Sequence, residues 1–255
     1  MITLPFVSAL WQALKNTSRY TRRSLIAIGA VGFGLVAMLL AAGFIDDITI
    51  GLRESTIRSH LGHVQITRPR YLEAGLAEPY NYLLEESSPD KEVAAGSPHV
   101  VLVAPRLSFN GLISHGETTL SYYADGVSPS KESQLANQLS IVAGDNLDDH
   151  DPKSAILGHG LAKSLGVKVG DKVVLVATTR RGGINAVEVV VRGIFGSHSK
   201  AYDDIAVRLP IATAQQLLRT QGAHRWVLLV DRTENSRDVA QALQGRFGDR
   251  LAVVH

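Results

Sequence analysis

The apolar run from Leu25 to Phe44 constrains this chain more than any other feature. Its residues, LIAIGAVGFGLVAMLLAAGF, include no charge and no proline. A helix of about twenty residues spans a bilayer core of roughly 30 Å, and a buried helix of a soluble protein rarely needs so long an apolar run. The sequence therefore predicts a transmembrane helix. Its small residues let a second helix approach closely, so we expect a helix partner in the membrane at Gly29, Ala30, Gly32, Ala37, Ala41 and Gly43.

Charged residues on either side of this run indicate its orientation. Basic side chains precede it and acidic ones follow it: Lys15, Arg19, Arg22, Arg23, then Asp46 and Asp47. Because lysine and arginine mark the cytoplasmic side, we expect a cytoplasmic N-terminus and extracytoplasmic residues 45–255, on the inner membrane of a bacterial cell. A cleaved signal peptide is the alternative. Ala41, Ala42 and Gly43 offer a cleavage pattern, but such a peptide has an apolar core of only about 7–15 residues.

Residues 1–23 are predicted to form a cytoplasmic amphipathic leader helix. Phe6, Leu10 and Leu14 recur at helical spacing, and Trp11 beside them is typical of a membrane boundary. We expect this helix to lie on membrane lipid along the inner surface, and a disordered tail is the alternative. Residues 24–58 then form the transmembrane helix and an outward stalk, since a loosely helical apolar pattern continues past the span.

The composition limits the function of residues 59–255. The net charge is +2, and the basic cluster is explained by membrane topology, so no nucleic-acid partner is expected. The chain contains no cysteine, which excludes disulfides and thiol catalysis. Roughly 210 residues beyond the span are enough for a domain held together by packing alone.

This extracytoplasmic part is expected to form an α+β domain with mixed sheets, short helices and a small β-rich inserted subdomain. The subdomain is placed at about 141–200, because two β-branched strands there flank the glycine-rich turn Arg180–Gly183. A second hairpin is predicted around His115–Glu117. Pro105 indicates an edge position or a bulge in the strand before that turn.

The remaining segments are less uniform. Residues 68–99 have no clean period and predict a long loop with one short helix. Pro210 is a favoured start for a helix over 211–219. Val239, Leu243 and Phe247 lie on one face of a predicted helix over 236–247, with a last strand expected to begin at Leu251.

The stretch Gly158–Ser164 resembles a phosphate-binding loop, but its spacing excludes one. Such a loop has one glycine directly before its Lys-Ser pair and another glycine five residues before that one. Here Ala162 precedes Lys163, and Leu157 occupies the position of the first glycine. The stretch is also expected outside the membrane, where ATP is scarce.

Other candidate sites are equally incomplete. The acidic run Asp145, Asp148, Asp149 and Asp151 with His150 lacks the ligand pattern of a calcium loop and is expected to be a solvated connection. His60 and His63 have no evident third metal ligand. Ser199, His198 and Asp203 lie too close together in sequence for a hydrolase triad. We therefore predict no catalytic, cofactor-binding or metal-binding residue and no cofactor.

In combination, a series of short motifs resembles the N-terminal part of FtsX/MacB-type ABC transporter permeases, which include the lipoprotein-releasing permeases and the macrolide exporter. The motifs cover nearly the whole chain in the family's order: Gly62–Ile66, Ile156–Gly158, Leu161–Ala162, Leu165–Val167, Val169–Val173, Val189–Phe195, Asp203–Asp204 and Ala214–Leu218.

The resemblance implies a permease subunit without enzymatic activity of its own. Such permeases have four spans and a large extracytoplasmic domain between the first two. They dimerise with a second copy or a paralogue, and they use a separate cytoplasmic ABC ATPase. Hydrolysis of ATP there drives movements of the outer domains that export or release a substrate. An extracytoplasmic partner protein is also implied.

Two departures from the family pattern stand out. The sequence ends at His255, before a second span, which is expected of a fragment, a truncated product or a split subunit. The hairpin at Thr178–Ala186 is short, which argues against recruitment of a periplasmic carrier through a protruding loop. One alternative function is a single-span sensor or binding module without an ATPase. Another is a membrane-anchored hydrolase, which no catalytic motif in the sequence supports.

Overall fold

An apolar helix begins the part of the chain that the structure describes. In the computed structural model, the described residues are Trp11 and 21–56, 63–75, 78–135, 139–197 and 199–254. Helix α1 (Thr21–Thr56) has 36 residues and a length of about 54 Å at 1.5 Å per residue. Apart from the helical and exposed Trp11, the predicted leader helix lies outside the described residues.

The first part of α1 has the length and composition of a membrane span. Residues Thr21–Ile45 form an apolar segment of 25 residues, about 37 Å long. No part of its apolar window is buried against other described residues. Large side chains such as Phe33 and Leu39 are exposed on its different faces. The helix continues to Thr56 without a break at Gly51. That its last part is an outward stalk stays a prediction. The predicted helix partner at its small residues stays a prediction.

The chain clusters into two compact units, Met1–Glu54 and Ser55–His255, and the second contains a large mixed sheet. Its strands are β1 (Val64–Thr67), β2 (Val100–His115), β3 (Thr118–Val127), β4 (Ser140–Gly144), β5 (Ser154–Gly158), β6 (Lys172–Thr178), β7 (Ile184–Gly196), β8 (Ala206–Pro210), β9 (Arg225–Val230) and β10 (Ala252–Val254). The order is β10-β1-β9-β2-β3-β8-β5-β7-β4, and β6 pairs with both β2 and β7. The expected α+β class with a mixed sheet is confirmed.

The pairing of β6 closes part of this sheet into a six-stranded ring. Antiparallel pairs join β2 to β3, β8 to β5, β7 to β6 and β6 back to β2. Parallel pairs join β3 to β8 and β5 to β7. The range of about 141–200, predicted as a β-rich subdomain, contains the four strands β4 to β7. These strands belong to the same sheet as the rest of the unit. The bounds of that subdomain stay a prediction.

Short helices cover the sheet. They are α2 (Tyr71–Ala74), α3 (Pro89–Ala95), α4 (Pro129–Leu135), α5 (His159–Leu165), α6 (Lys200–Asp203), α7 (Ile211–Leu218) and α8 (Ser236–Phe247), with 3-10 helices at Pro79–Tyr82, Thr233–Asn235 and Gly248–Arg250. The bounds predicted for α8 are correct. Gly166 ends α5 with φ of 70°, a left-handed conformation that glycine adopts without strain.

The two largest apolar cores of the described residues lie on the sheet. The first core fills the ring and includes the inward faces of α5 and α7; among its members are Leu107, Ala124, Leu157, Leu175, Val191, Leu209 and Leu217. The second core packs α8 and α3 against β1, β9 and the start of β2; it includes Ile66, Ala94, Trp226, Leu228, Leu243 and Phe247. Strand β2 contributes to both cores, because its sixteen residues extend from one into the other.

Pro105 marks the point where β2 passes from one core to the other. The carbonyl of Arg106 accepts a hydrogen bond from the His224 N–H at 2.9 Å, on the β9 side of the strand. Neighbouring backbone groups point in opposite directions, so the ring nitrogen of Pro105 faces away from β9. Strand β3 begins to pair with β2 only at Arg106, so no ladder bond is lost. The strand β2 is internal, and not the expected edge strand, but one side of it is unpaired at Pro105.

The segment 68–99 differs from its prediction as a long loop with one short helix. Within its described residues it contains α2, the 3-10 helix Pro79–Tyr82 and α3, and Leu84 makes an isolated bridge to Ala223. Each helix has only four to seven residues, which is too short for a helical period to show. In α3, Ser88 accepts a hydrogen bond from the Asp90 N–H at 3.3 Å as an N-cap.

Candidate functional site

The glycines that suggested a phosphate-binding loop serve close packing. A Cβ on Gly158 would lie 2.3 Å from the Asp203 carbonyl oxygen, and one on Gly160 would lie 1.9 Å from an oxygen of the Asp204 carboxylate. The turn from β5 into α5 is thus occupied by residues 203–204. A carboxylate at this place repels phosphate, which agrees with the exclusion drawn from the spacing.

The acidic run between β4 and β5 is organised by one arginine. The Arg192 guanidinium lies 3.3 Å from an Asp151 oxygen and 3.7 Å from an Asp148 oxygen, and its Nε donates to the Asn146 carbonyl at 2.7 Å. Backbone hydrogen bonds, that from the His150 N–H first, lower the pKa of the Asp148 carboxyl. These contacts fit a structural connection. Among the described residues, no group of three or more histidine, aspartate and glutamate side chains converges on a metal position.

The other isolated candidates also have structural contacts. The His63 ring lies 3.2 Å from Thr233 Oγ1 through Nε2, while its Nδ1 accepts from the Val230 N–H at 3.3 Å. Asp203 accepts from the Ser197 N–H at 3.0 Å, and Ser199 caps α6. His60 and His198 lie outside the described residues. That no residue is catalytic or binds a metal or cofactor stays a prediction.

A large open groove lies on the second unit, and we call it the arginine groove. It has a volume of about 1330 Å³ and lies between residues 80–87, Arg180 and the segment 215–221, with Arg68 at one side. A second depression of about 440 Å³ shares Tyr80, Asn81 and Arg180 with it and adds Phe109 and Asn110.

Local contacts hold the walls of the arginine groove in place. The Arg180 N–H donates to the Leu218 carbonyl at 3.0 Å, and Asn185 Nδ2 donates to the Leu217 carbonyl at 2.9 Å, so the turn between β6 and β7 caps the end of α7. The Tyr80 hydroxyl donates to the Thr178 carbonyl. The wall formed by residues 80–87 is tied down by the two hydrogen bonds between Leu84 and Ala223, of 2.7 and 3.0 Å.

Arginine dominates the charge of this groove. Arg68 donates through Nε to the Leu83 carbonyl at 3.4 Å. Among the described residues, the guanidinium groups of Arg180 and Arg219 have no hydrogen-bond or ion-pair partner. The carboxylate Glu86 lies 3.7 Å from Lys91 Nζ and accepts from Gln215 Nε2 at 3.3 Å, so its charge is already balanced. Glu85 is the other carboxylate on the described lining.

A buried charge network lies on the opposite face of the ring strands from the first core. Glu132 of α4 lies 2.6 Å from Arg106 Nη2 on β2 and 2.9 Å from Arg208 Nη1 on β8. Arg225 Nη2 of β9 lies 3.3 Å from Asp125 on β3, whose carboxylate also accepts from the Ser108 hydroxyl at 2.5 Å. The register aligns Ser108, Asp125 and Arg208 in one row across three strands.

Opposite charges beside Asp125 and Arg225 stabilise the charged forms of these two side chains inside the protein. Burial raises the pKa of Asp125. The three arginines Arg225, Arg106 and Arg208 and the Ser108 hydroxyl lower this pKa by a larger amount, so its net shift is downward. Burial works against the charge of Arg225, whereas Asp125 and two tyrosines raise its pKa. Burial, followed by the charge of Arg225, lowers the pKa of the neighbouring His224 to about 4, so this imidazole is neutral at pH 7.

Neither the arginine groove nor this network was predicted from the sequence. A signal for the network existed, because Arg106 and Arg208 are the charged residues within the apolar strands VVLVAPRLSF and IAVRLP. A charge in such a strand is buried only when a counter-charge accompanies it. The groove had no comparable signal, since its arginines come from three separate segments.

These features define an α+β domain that follows a helix able to span a membrane. A family model described as the MacB-like periplasmic core domain matches residues 24–246. The chain therefore belongs to this family, which confirms the predicted resemblance to FtsX/MacB-type ABC transporter permeases. No curated protein sequence matches the chain.

Solved structures show the same fold at low sequence identity. The extracellular domain of the noncanonic ABC-type transporter YknZ from Gram-positive bacteria is 14% identical, with a TM-score of 0.55 over 75% of this chain and 99% of that one. The periplasmic region of MacB from Actinobacillus actinomycetemcomitans is 12% identical, with a TM-score of 0.53 over 78% of this chain and 91% of that one.

Proposed function

We propose that this chain supplies the first transmembrane helix and the extracytoplasmic domain of an ABC transporter permease subunit. In this proposal it couples ATP hydrolysis on a separate cytoplasmic ATPase to export or release of a substrate outside the membrane. The observation that carries the proposal is the family match, which starts within the apolar part of α1 and continues through the domain to residue 246. The chain itself then performs no catalysis.

The proposal divides the chain by location. Residues 1–23 lie on the cytoplasmic surface of the bacterial inner membrane, 24–58 cross the bilayer and form the stalk, and 59–255 are extracytoplasmic, with the β-rich subdomain at about 141–200. The partners are the ATPase, a second permease copy or paralogue, membrane lipid and an extracytoplasmic protein.

A relay of this kind needs a stiff connection at the membrane surface. Helix α1 continues for eleven residues past Ile45, about 16 Å at the helical rise. A helix transmits axial and lateral displacement over that length, whereas an unstructured linker absorbs it. Substitutions in the stalk therefore separate coupling from membrane insertion.

The experiment measures substrate released or transported per ATP hydrolysed by the full assembly in reconstituted membranes. Proline at Thr49 removes a backbone donor and clashes with the preceding turn, at about 3 kcal/mol or more, and should lower the ratio strongly. The pair Ile48→Gly and Leu52→Gly should lower it less, at about 1 kcal/mol each relative to alanine. Thr49→Ala is the matched control that keeps the helix.

Equal assembly of all variants, checked by co-purification of the ATPase, is required for the comparison. If Thr49→Pro assembles normally and keeps the parent ratio, the stalk is a passive tether and the coupling proposal is wrong. If no ATPase co-purifies with the parent chain, the sensor or binding module without an ATPase becomes the better account.

A further inference from the structure

The size and lining of the arginine groove argue against a small-molecule site. Pockets for small ligands enclose about 300–1,000 Å³, are mostly apolar and bury most of the ligand. This groove is larger, open to solvent and lined mainly by polar side chains. It is continuous with the depression at Phe109 and Asn110, because Tyr80, Asn81 and Arg180 line both. A continuous open surface of this size suits an extended chain.

The charge of the groove selects an anionic ligand. Arg68, Arg180 and Arg219 come from three different segments of the chain, and all three line the groove. Glu86 is already balanced by Lys91, so Glu85 in the groove and Glu78 in the adjoining depression oppose three guanidiniums on the described lining. Guanidinium groups bind carboxylates through two parallel hydrogen bonds, which lysine cannot do.

The uncharged polar side chains point to a peptide. Gln216 and Gln221 line the groove, and among the described residues their side-chain amides have no hydrogen-bond partner. An amide both donates and accepts, which matches the alternating N–H and C=O groups of an extended backbone. A lipid headgroup offers no such alternation. A flat bilayer surface is also a poor fit to a concave groove.

We propose that the arginine groove binds an extended acidic peptide segment of an extracytoplasmic protein. The proposal rests on the proposed function in one respect, since that function places the domain outside the membrane. Carboxylates of the segment pair with Arg180 and Arg219, while its backbone meets the glutamine amides. The fixed walls at Leu84 and at the end of α7 mean that the groove needs no rearrangement before binding.

The test uses the full chain in a neutral detergent and a fluorescein-labelled twelve-residue peptide of alternating glutamate and serine, with a lysine-serine peptide as its counterpart. Fluorescence anisotropy measures binding. Arg180→Gln combined with Arg219→Asn should weaken binding of the acidic peptide about tenfold or more, because the charged hydrogen bonds from both guanidiniums to the peptide carboxylates are lost. Asparagine is chosen because residue 219 has φ of 52°, which asparagine tolerates.

Arg181→Gln is the matched control. Measured against Arg180→Gln alone, it removes the same single charge from the adjacent residue, which is exposed and does not line the groove. We expect less than a twofold change. An equal loss in Arg181→Gln and in the groove variant overturns the proposal, because the peptide then responds only to overall charge. Absence of acidic-peptide binding by the parent chain overturns it as well.

A charge reversal gives a gain of binding. Arg180→Glu with Arg219→Glu should bind the lysine-serine peptide at least tenfold more tightly than the parent chain does, and a folded variant without this gain contradicts the proposal. Flotation with phosphatidylglycerol vesicles is the competing arm: vesicle binding that depends on Arg180 and Arg219, with no peptide binding, assigns the groove to lipid instead. None of these measurements requires the ATPase, so their failure leaves the coupling proposal intact.

Discussion

Replacing Glu132 by glutamine should destabilise the extracytoplasmic unit strongly. Its carboxylate lies 2.6 Å from Arg106 and 2.9 Å from Arg208, and the three side chains are at most 9% exposed. Removing the negative charge leaves two buried guanidiniums without their shared carboxylate. Breaking a buried ion pair from one side costs about 3–5 kcal/mol. Since domains unfold with only about 5–15 kcal/mol, we expect a loss of roughly 3 kcal/mol or more to be easily measured.

Trp226 provides the signal for this measurement. The chain has two tryptophans, and Trp226 is fully buried in the second core beside the network. In a Trp11→Phe background, the emission of Trp226 reports urea unfolding of the full chain in detergent. Glu188→Gln is the matched control: Glu188 lies 2.8 Å from Lys172, but both side chains are more than half exposed. Such a pair contributes about 0–1 kcal/mol.

The difference in stability between the two variants tests the role of the buried Glu132 carboxylate. If Glu132→Gln shifts the free energy of unfolding no more than Glu188→Gln does, the buried carboxylate is not needed to neutralise the two arginines. In that case the network contributes neither stability nor a fixed arrangement of β2, β8 and α4.

Two further predictions follow from a pKa and from the orientation of the span. Because burial lowers the pKa of His224 from 6.5 to about 4, the unfolded chain binds a proton in this window that the folded chain does not. Stability should therefore fall by about 3 kcal/mol from pH 6.5 to pH 4, and His224→Asn should flatten the slope in urea titrations at each pH. In this cysteine-free chain, a membrane-impermeant maleimide added to spheroplasts should label Arg181→Cys and spare Thr17→Cys; the reverse pattern contradicts the proposed topology.

Elements with long, regular patterns were predictable from the sequence. Helix α8 has three turns, and Val239, Leu243 and Phe247 all lie in the second core. The sequence of this helix is therefore long enough to show the helical spacing of its apolar residues. The hairpin of β6 and β7 alternates over seven paired positions around a glycine-rich turn. Such signals depend only on neighbours in sequence.

Features that depend on distant pairing were not predictable. The ring closes because Leu112–Ser114 of β2 pair with Val174–Val176 of β6, and no local pattern specifies this partner. The helices between residues 68 and 99 are too short to show a period. The arginine groove is likewise a product of tertiary structure, since the segments with Arg68, Arg180 and Arg219 meet only after the sheet has formed.

The buried network lies where the two cores of the domain meet. Strand β2 serves the second core up to Pro105 and the first core from Leu107 onward, and Arg106 stands between them. A strand shared by two cores is a natural hinge. At this residue Glu132 binds Arg106 to β8 of the ring, while Arg225 of β9 is held to Asp125 of β3. Bending there would separate buried opposite charges, which costs several kcal/mol, so the network opposes bending between the two cores.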